Sequence, residues 1–437
     1  MLNRMRTIVR QRSVGIILIL LAFSYCARGE GQLRDLTKAK DSLAESASRF
    51  FGEGKYRKAL DLMALNDTTL LSSRLFYYCG MSSAALYDYQ KAQEYFKKAI
   101  DQDSTNVYYH FQFGRLLTQA GFAAEAIDEF KLCFALDSSY LPASFQLGLI
   151  YNVQKKDPKE EVEIFSFLIR QNPSDFLSLY YKGDALKRQG LADSGVNFVL
   201  KSIELNPQYV PSLLSYANYR NSKKEYAIAL KYYQEASIIR PHEKDIVFQI
   251  GECFRKLGEL NKAVSKFKEA ISLDTLNAVY YAQLGYAYYS LGRNDSSVVA
   301  YKKATALDFD NAQYYRNLAM AYQKMDSIQG VVQSYQRAAQ VLHPENISYV
   351  YNDLAAFYFG KGLWRDAALA YRRVIDFNPD NEMAYFWLGN AYEQTQDRKS
   401  AISALEIFLK RIEGDDSKSG YRSEVKHHVE MLKKKQE

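Results

Sequence analysis

The chain has 437 residues, of which 48% are hydrophobic and 24% charged, with only 8 prolines and 22 glycines. This balance excludes a disordered, collagen-like or low-complexity chain, and at the usual 100–200 residues per domain it would make about two to four globular domains unless it is built of repeats. The formal charge is +7, and 36 tyrosines stand against five histidines, His110, His242, His343, His427 and His428, which is little material for metal or general-base chemistry.

At the N-terminus, Met1 to Arg12 holds four arginines and no acid, Val14 to Phe23 is an unbroken apolar run, and small or polar residues follow through Gly29. This layout predicts an export signal over residues 1–26, too short in its apolar part to span a membrane as a helix. Two outcomes stay open. Cys26 ends the apolar run as a lipidated cysteine would, whereas cleavage after Cys26, Ala27 or Gly29 would release a soluble protein. The expected location is the periplasm or cell envelope, with membrane attachment through a lipid or an uncleaved signal as the anchored form. Removing residues 1–26 takes away four arginines, so the formal charge falls from +7 to +3. A nearly balanced surface argues against nucleic acid, which needs a concentrated basic patch. Residues 27–39 read as a short tether.

Beyond the tether the chain repeats itself. Gly80, Ala92, Phe96 and Ala99 share their spacing with Gly114, Ala126, Phe130 and Cys133, with Gly251, Ala263, Phe267 and Ala270, and with Gly285, Ser297, Tyr301 and Ala304. The frame extends over residues 40–413 and opens units at Lys40, Ser73, Val107, Pro142, Phe176, Val210, Lys244, Ala278, Ala312, Ser348 and Glu382. Pro173, Pro207, Pro241, Pro344 and Pro379 follow the second half of their units, where X-Pro cannot continue a helix. Gly54, Gly121, Gly190, Gly258, Gly292 and Gly362 fall midway, where a left-handed helix cap is expected. Each unit therefore reads as two helices, the small residues allowing close approach and the aromatics filling the gap to the next pair. Cys79, Cys133 and Cys253 sit in apolar helical stretches and read as buried, unpaired thiols.

After the last unit, residues 414–420 read as a linker, and Tyr421, Val425, Val429 and Leu432 make one apolar stripe, predicting a capping helix over residues 421–437. Lys433-Lys434-Lys435 and the neighbouring His427-His428 pair read as solvated groups on that helix.

The repeat resembles the tetratricopeptide repeat. Tyr281, Leu284-Gly285, Tyr288 and Tyr301 carry the family's pattern, as do Tyr385, Leu388-Gly389, Tyr392 and Ala401, Tyr315, Leu318-Ala319, Tyr322 and Tyr335, and Tyr351, Leu354-Ala355, Tyr358, Ala367, Tyr371 and Pro379. The first unit lacks the Leu-Gly pair, and Glu161 and Gly195 stand where alanine is expected, which predicts looser or terminal units. The resemblance implies an all-α, right-handed superhelical solenoid of about eleven helical hairpins, stabilised by stacking between neighbours and closed by the C-terminal cap.

It also implies that the first helices line an inner wall that seats a peptide or protein partner. The inward positions map to Tyr77, Tyr108, Phe111, Arg115, Phe145, Tyr180, Asp184, Lys187, Asn218, Asn221, Phe248, Arg255, Tyr286, Tyr289, Arg316, Asn352, Phe386 and Asn390. Aromatics supply contact area at low rotamer cost, and arginine and asparagine pair with main-chain or carboxylate groups. Tyr180 and Met320 at their inward positions do not match the Lys/Asn clamp that grips a chaperone tail in this family. No Gly-rich phosphate loop, His-Glu-x-x-His, Gly-x-Ser-x-Gly or spaced Cys/His set is present, so neither cofactor nor metal is expected and the chain reads as non-enzymatic. The leading expectation is an interaction or assembly scaffold of the bacterial cell envelope. The alternatives are an accessory subunit of an envelope enzyme or secretion complex, and an RNA-binding helical-repeat protein.

Overall fold

Hairpin formation starts with caps. Asn106, Asn277 and Asn311 each accept a hydrogen bond from the backbone N–H two residues on, satisfying a helix N-terminus that water would otherwise have to serve. At the midpoint turns, Gly54, Gly121, Gly190, Gly258, Gly292 and Gly362 all have positive φ, the left-handed cap that lets the chain reverse at once into the second helix.

The computed structural model describes residues 34–66, 70–154, 158–415 and 418–434. The export signal and Cys26 lie outside the described residues, as do residues 27–33. Among the described residues there are twenty-three α-helices and no strand. They pack as two units divided between Pro207 and Gln208. Unit 1 pairs α1 (34–52) with α2 (Tyr56–Ala64), α3 (Ser73–Ala85) with α4 (Tyr89–Gln102), α5 (Val107–Gln119) with α6 (Ala123–Leu136), α7 (Leu141–Gln154) with α8 (Pro158–Gln171), and α9 (Phe176–Arg188) with α10 (Ala192–Leu205). Unit 2 pairs α11 (Val210–Ser222) with α12 (Tyr226–Ile239), α13 (Lys244–Lys256) with α14 (Leu260–Leu273), and α15 (Ala278–Ser290) with α16 (Asn294–Leu307). It continues with α17 (Ala312–Lys324) and α18 (Ile328–Gln340), α19 (Pro344–Gly360) and α20 (Trp364–Phe377), and α21 (Glu382–Gln394) and α22 (Arg398–Arg411), and ends in α23 (Ser419–Lys434).

Eight of the eleven first helices open at the residue where the sequence frame opens. The exceptions have local causes. The fourth unit's first helix starts one residue early, at Leu141 rather than Pro142, which puts Gly148 in register with Gly114. Pro344 is the first residue of α19 rather than the end of a turn, because its fixed φ suits a helix start, and the helix gains a turn over the expected start at Ser348. Residues 34–39, expected as tether, are already helical in α1. The capping helix likewise begins at Ser419, two residues before expectation.

The core repeats with the frame. Phe96, Phe130, Phe165, Phe267 and Tyr301 on the second helices are almost wholly buried, each pressed on the glycine of its partner first helix. A Cβ added at Gly114 would lie 2.8 Å from the Phe130 ring. Burying each such ring is worth about 2–3 kcal/mol, a large share of what holds a hairpin of two short helices together.

The two departures from alanine differ in effect: α9 and α10 around Gly195 are among the most closely packed of the hairpins, whereas α7 and α8 around Glu161 pack less closely than the other hairpins that follow α2. Gly195 faces Gly183, and the two helices approach so closely that a Cβ on Gly195 would sit 2.5 Å from the Gly183 carbonyl oxygen. Glu161 is fully buried, but it pairs with Arg188, which also reaches Asp184 at 3.1 Å, and it accepts from Asn152 at 2.9 Å. Burial raises the Glu161 carboxyl pKa, and the Arg188 and Asn152 hydrogen bonds oppose that shift. The cap closes unit 2: Val425, Val429 and Leu432 pack on Ala401, Leu405, Phe408 and Ile412. Its polar residues are not simply solvated, since His428 Nε2 lies 2.8 Å from Glu393 and Lys433 Nζ 2.6 Å from Glu406.

Candidate partner-binding face

Within unit 1 the first helices α3, α5, α7 and α9 are spatial neighbours, so side chains at equal register share one face. Some of the expected contact residues are spent on packing. Phe111 is buried between Phe130 and Tyr140, Tyr77 stacks on Tyr109 with centroids 5.1 Å apart, and Phe145 is wedged between Phe165 and Tyr181. Tyr180 is half-buried against Tyr181, and burial pushes its hydroxyl up to about 12. Others stay open. Tyr108 is 57% exposed, Lys187 is exposed, and Arg115 is exposed over the Phe111 ring with Nη1 donating to Gln112 Oε1 at 3.1 Å. No carboxylate pairs with Arg115 among the described residues. Beside it lies a hollow of about 540 Å³ whose walls include Phe51, Met81, Tyr87, Gln112 and Gln119.

In unit 2 the first helices carry a different chemistry. Arg255 grips Glu252 through two hydrogen bonds of 2.9 and 2.7 Å and lies 5.2 Å from the Tyr286 ring. Arg316 places Nε and Nη2 on Asp353 at 2.9 and 2.6 Å and sits over Tyr349. Phe248 stacks on Tyr280, and the exposed Asn218 accepts the Tyr233 hydroxyl. Asn221, Tyr289 and Asn352 are half-buried, while Tyr286 is exposed. Phe386 packs on Phe408 and, with Asn390, lines a smaller hollow against the capping helix, beside the His428–Glu393 pair.

The sequence mapping missed three participants. Glu252 and Asp353 neutralise Arg255 and Arg316, and both were visible in the repeat frame, one a helical turn from Arg255 and the other one unit plus one residue beyond Arg316. The third is Tyr87, which takes the left-handed turn position with φ 61° where six other hairpins use glycine, and it is 79% exposed. The gap in the glycine column is shared by Lys224, Asp326 and Gln396, so it did not single out Tyr87.

Catalytic or metal chemistry has little to build on. Among the described residues no group of three or more His, Cys, Asp and Glu side chains is placed to hold a metal, and no helix is long and apolar enough to cross a membrane. Cys79, Cys133 and Cys253 are buried, and burial pushes each thiol up to about 12, far from a reactive thiolate.

Models of the TPR repeat match residues 251–292, 285–326 and 355–396, and a tetratricopeptide repeat model matches residues 383–411. The chain is 28% identical over 110 residues to anaphase-promoting complex subunit 3 of Dictyostelium discoideum, covering 25% of this chain and 11% of that protein. It is 31% identical over 100 residues to RNA polymerase-associated protein CTR9 of Caenorhabditis elegans, covering 23% of this chain and 8% of that protein. The chain thus spans about a tenth of the length of either relative. Among solved structures, the C-terminal part of a TPR repeat-containing protein from Cytophaga hutchinsonii is 19% identical with a TM-score of 0.48, over 55% of this chain and 99% of that one. Both matching models describe repeats of the kind that form protein–protein interaction scaffolds. The chain therefore carries tetratricopeptide repeats over residues 251–326 and 355–411, in the same frame as the helical hairpins before them.

Proposed function

We propose that this protein is a non-enzymatic scaffold of the bacterial cell envelope that holds a peptide or protein partner on its first-helix face. The observation that carries the reading is the division of labour between helices. Second helices bury rings such as Phe96, Phe130, Phe165, Phe267 and Tyr301 in the core and leave Phe134 open with no arginine over its ring among the described residues, whereas first helices leave Tyr108, Tyr286 and Tyr349 39–57% exposed, the last two under Arg255 and Arg316. Exposed tyrosine beside arginine is the composition of protein-recognition surfaces. The envelope location rests on the N-terminal layout of basic, apolar and small residues. Membrane attachment, by lipid at Cys26 or an uncleaved signal, belongs to the same proposal.

Photo-crosslinking tests the face. A photoreactive residue placed at Tyr108 or Tyr286 is expected to trap a protein partner in cells, and the same probe at Phe134 or Leu369 on second helices is not. Crosslinks confined to the second-helix positions would refute the assignment. Mass spectrometry of the mature N-terminus tests the location: a chain that begins at Met1 and fractionates with the cytosol would remove the envelope from the proposal.

A further inference from the structure

We propose that the first-helix face of α3 and α5 is a docking site for a partner segment that carries a carboxylate beside a bulky apolar side chain. This rests on the first-helix reading above and narrows it to one region and one chemistry. Over their whole lengths α3, α5 and α7 contain no aspartate or glutamate, yet they present Arg74 and Arg115, both exposed. In unit 2 the first-helix arginines Arg255 and Arg316, at other positions along their helices, are neutralised by Glu252 and Asp353. Arg115 keeps its guanidinium edge for something outside the chain: it is steadied by the Phe111 ring and by Gln112, and its other donors form the planar fork that matches a carboxylate.

The apolar half of the segment has its own place. The adjoining hollow of about 540 Å³ combines Phe51, Met81 and Tyr87 with Gln112 and Gln119, and none of its lining residues is acidic. The glutamines offer amide donors and acceptors to a peptide main chain. Tyr87 at the rim is the second, independent sign. A tyrosine with φ 61° is strained where glycine is not, and its ring is left 79% exposed, packing edge-on only against Tyr89. Lys224, Asp326 and Gln396 take the same turn conformation in other hairpins, so what Tyr87 adds is its open ring at the rim of the hollow. Two arginines across three helices are too few to neutralise a run of nucleic-acid phosphates, so a polypeptide is the occupant.

The test is fluorescence anisotropy on the full chain with short fluorescein-labelled Gly/Ser peptides carrying a central Asp-Phe, Asn-Phe or Asp-Ala pair, and with a labelled single-stranded RNA. Asp-Phe is expected to bind tightest, with Asn-Phe about tenfold weaker, the size of one charge-assisted hydrogen bond. Arg115→Gln should weaken Asp-Phe by the same factor and leave Asn-Phe unchanged, while Arg255→Gln changes neither. Tyr87→Gly should raise the melting temperature and lower affinity for both Phe peptides, a combination that a purely structural tyrosine would not give. Equal binding of Asp-Phe and Asn-Phe, no binding of any peptide, insensitivity to Arg115→Gln, or tighter binding of the RNA would overturn the proposal. If crosslinks still arise from Tyr108 while the peptides are indifferent to charge, this inference fails and the first-helix reading stands. Crosslinks from second helices alone sink both.

Discussion

Units 1 and 2 solve the same packing problem with the same residues, yet their first-helix faces diverge. Gly114 on Phe130 in one and Gly285 on Tyr301 in the other make equivalent closures, with an added Cβ meeting the ring at 2.8 and 2.9 Å. On the surface, unit 2 pairs its first-helix arginines Arg255 and Arg316 with Glu252 and Asp353, whereas unit 1 has three successive first helices without a carboxylate, and Arg115 has no acidic partner among the described residues. The lesson is that the repeat constrains the buried positions and leaves the face free to vary. Charge pairing, not the count of aromatics, separates a face that is chemically closed from one that is open.

The comparison is broken most severely where unit 1 departs from the repeat. Gly195→Ala should cost about 3 kcal/mol, because its Cβ meets the Gly183 backbone, which cannot step aside; Gly251→Ala in unit 2, which meets the Phe267 ring, should cost about half as much. Hydrogen exchange should show the loss in α8 to α10 with α13 and α14 unchanged, as stacked repeats require. An equal effect of the two changes would contradict the backbone-contact account. Next in size, Glu161→Ala restores the residue typical of the repeat but leaves Arg188 with Asp184 alone, and we expect a loss of about 2–3 kcal/mol in urea unfolding, where the repeat pattern by itself predicts a gain.

A pH series sharpens the contrast. His110 in unit 1 is buried, with Nδ1 2.7 Å from the Glu129 carboxylate and Nε2 3.0 Å from the Ser104 carbonyl, two acceptors that together demand a protonated ring. The Glu129 hydrogen bond raises its pKa above the ordinary 6.5, against the opposing pull of burial. A raised folded-state value means that this stabilisation is fully present below about pH 6.5 and is lost as pH rises through the folded value. Exchange protection of α5 and α6 should fall over that upward range, and His110→Gln should remove the dependence. Smallest of all, Arg316→Gln breaks a pair whose side chains are 28% and 31% exposed, and should cost about 0.5 kcal/mol in thermal melts without altering capture of an acidic peptide.

Most of the fold was legible. Glycine and aromatic spacing placed first-helix starts such as Val107 and Ala278 at the residue, because backbone approach and ring volume leave few options there. The misplacements at Pro142 and Ser348 came from proline, whose role as helix start or helix stop depends on which side the next turn closes. The face was legible by register but not by role. Phe111 and Tyr108 are three residues apart on one helix, and only neighbouring helices decide that one is buried and the other open. The expectation of looseness failed at Gly195, where the facing Gly183 lets α9 and α10 close up, and held at Glu161, where α7 and α8 pack less closely while Arg188 on α9 holds the buried carboxylate.

The account's central claim is that the partner lies on the carboxylate-free first helices of unit 1. Hydrogen exchange of the full chain with and without the Asp-Phe peptide addresses it most directly. New protection at α3, α5 and the Tyr87 turn is the predicted result; protection on α6 and α8 without α3 and α5, or confined to unit 2, would contradict it.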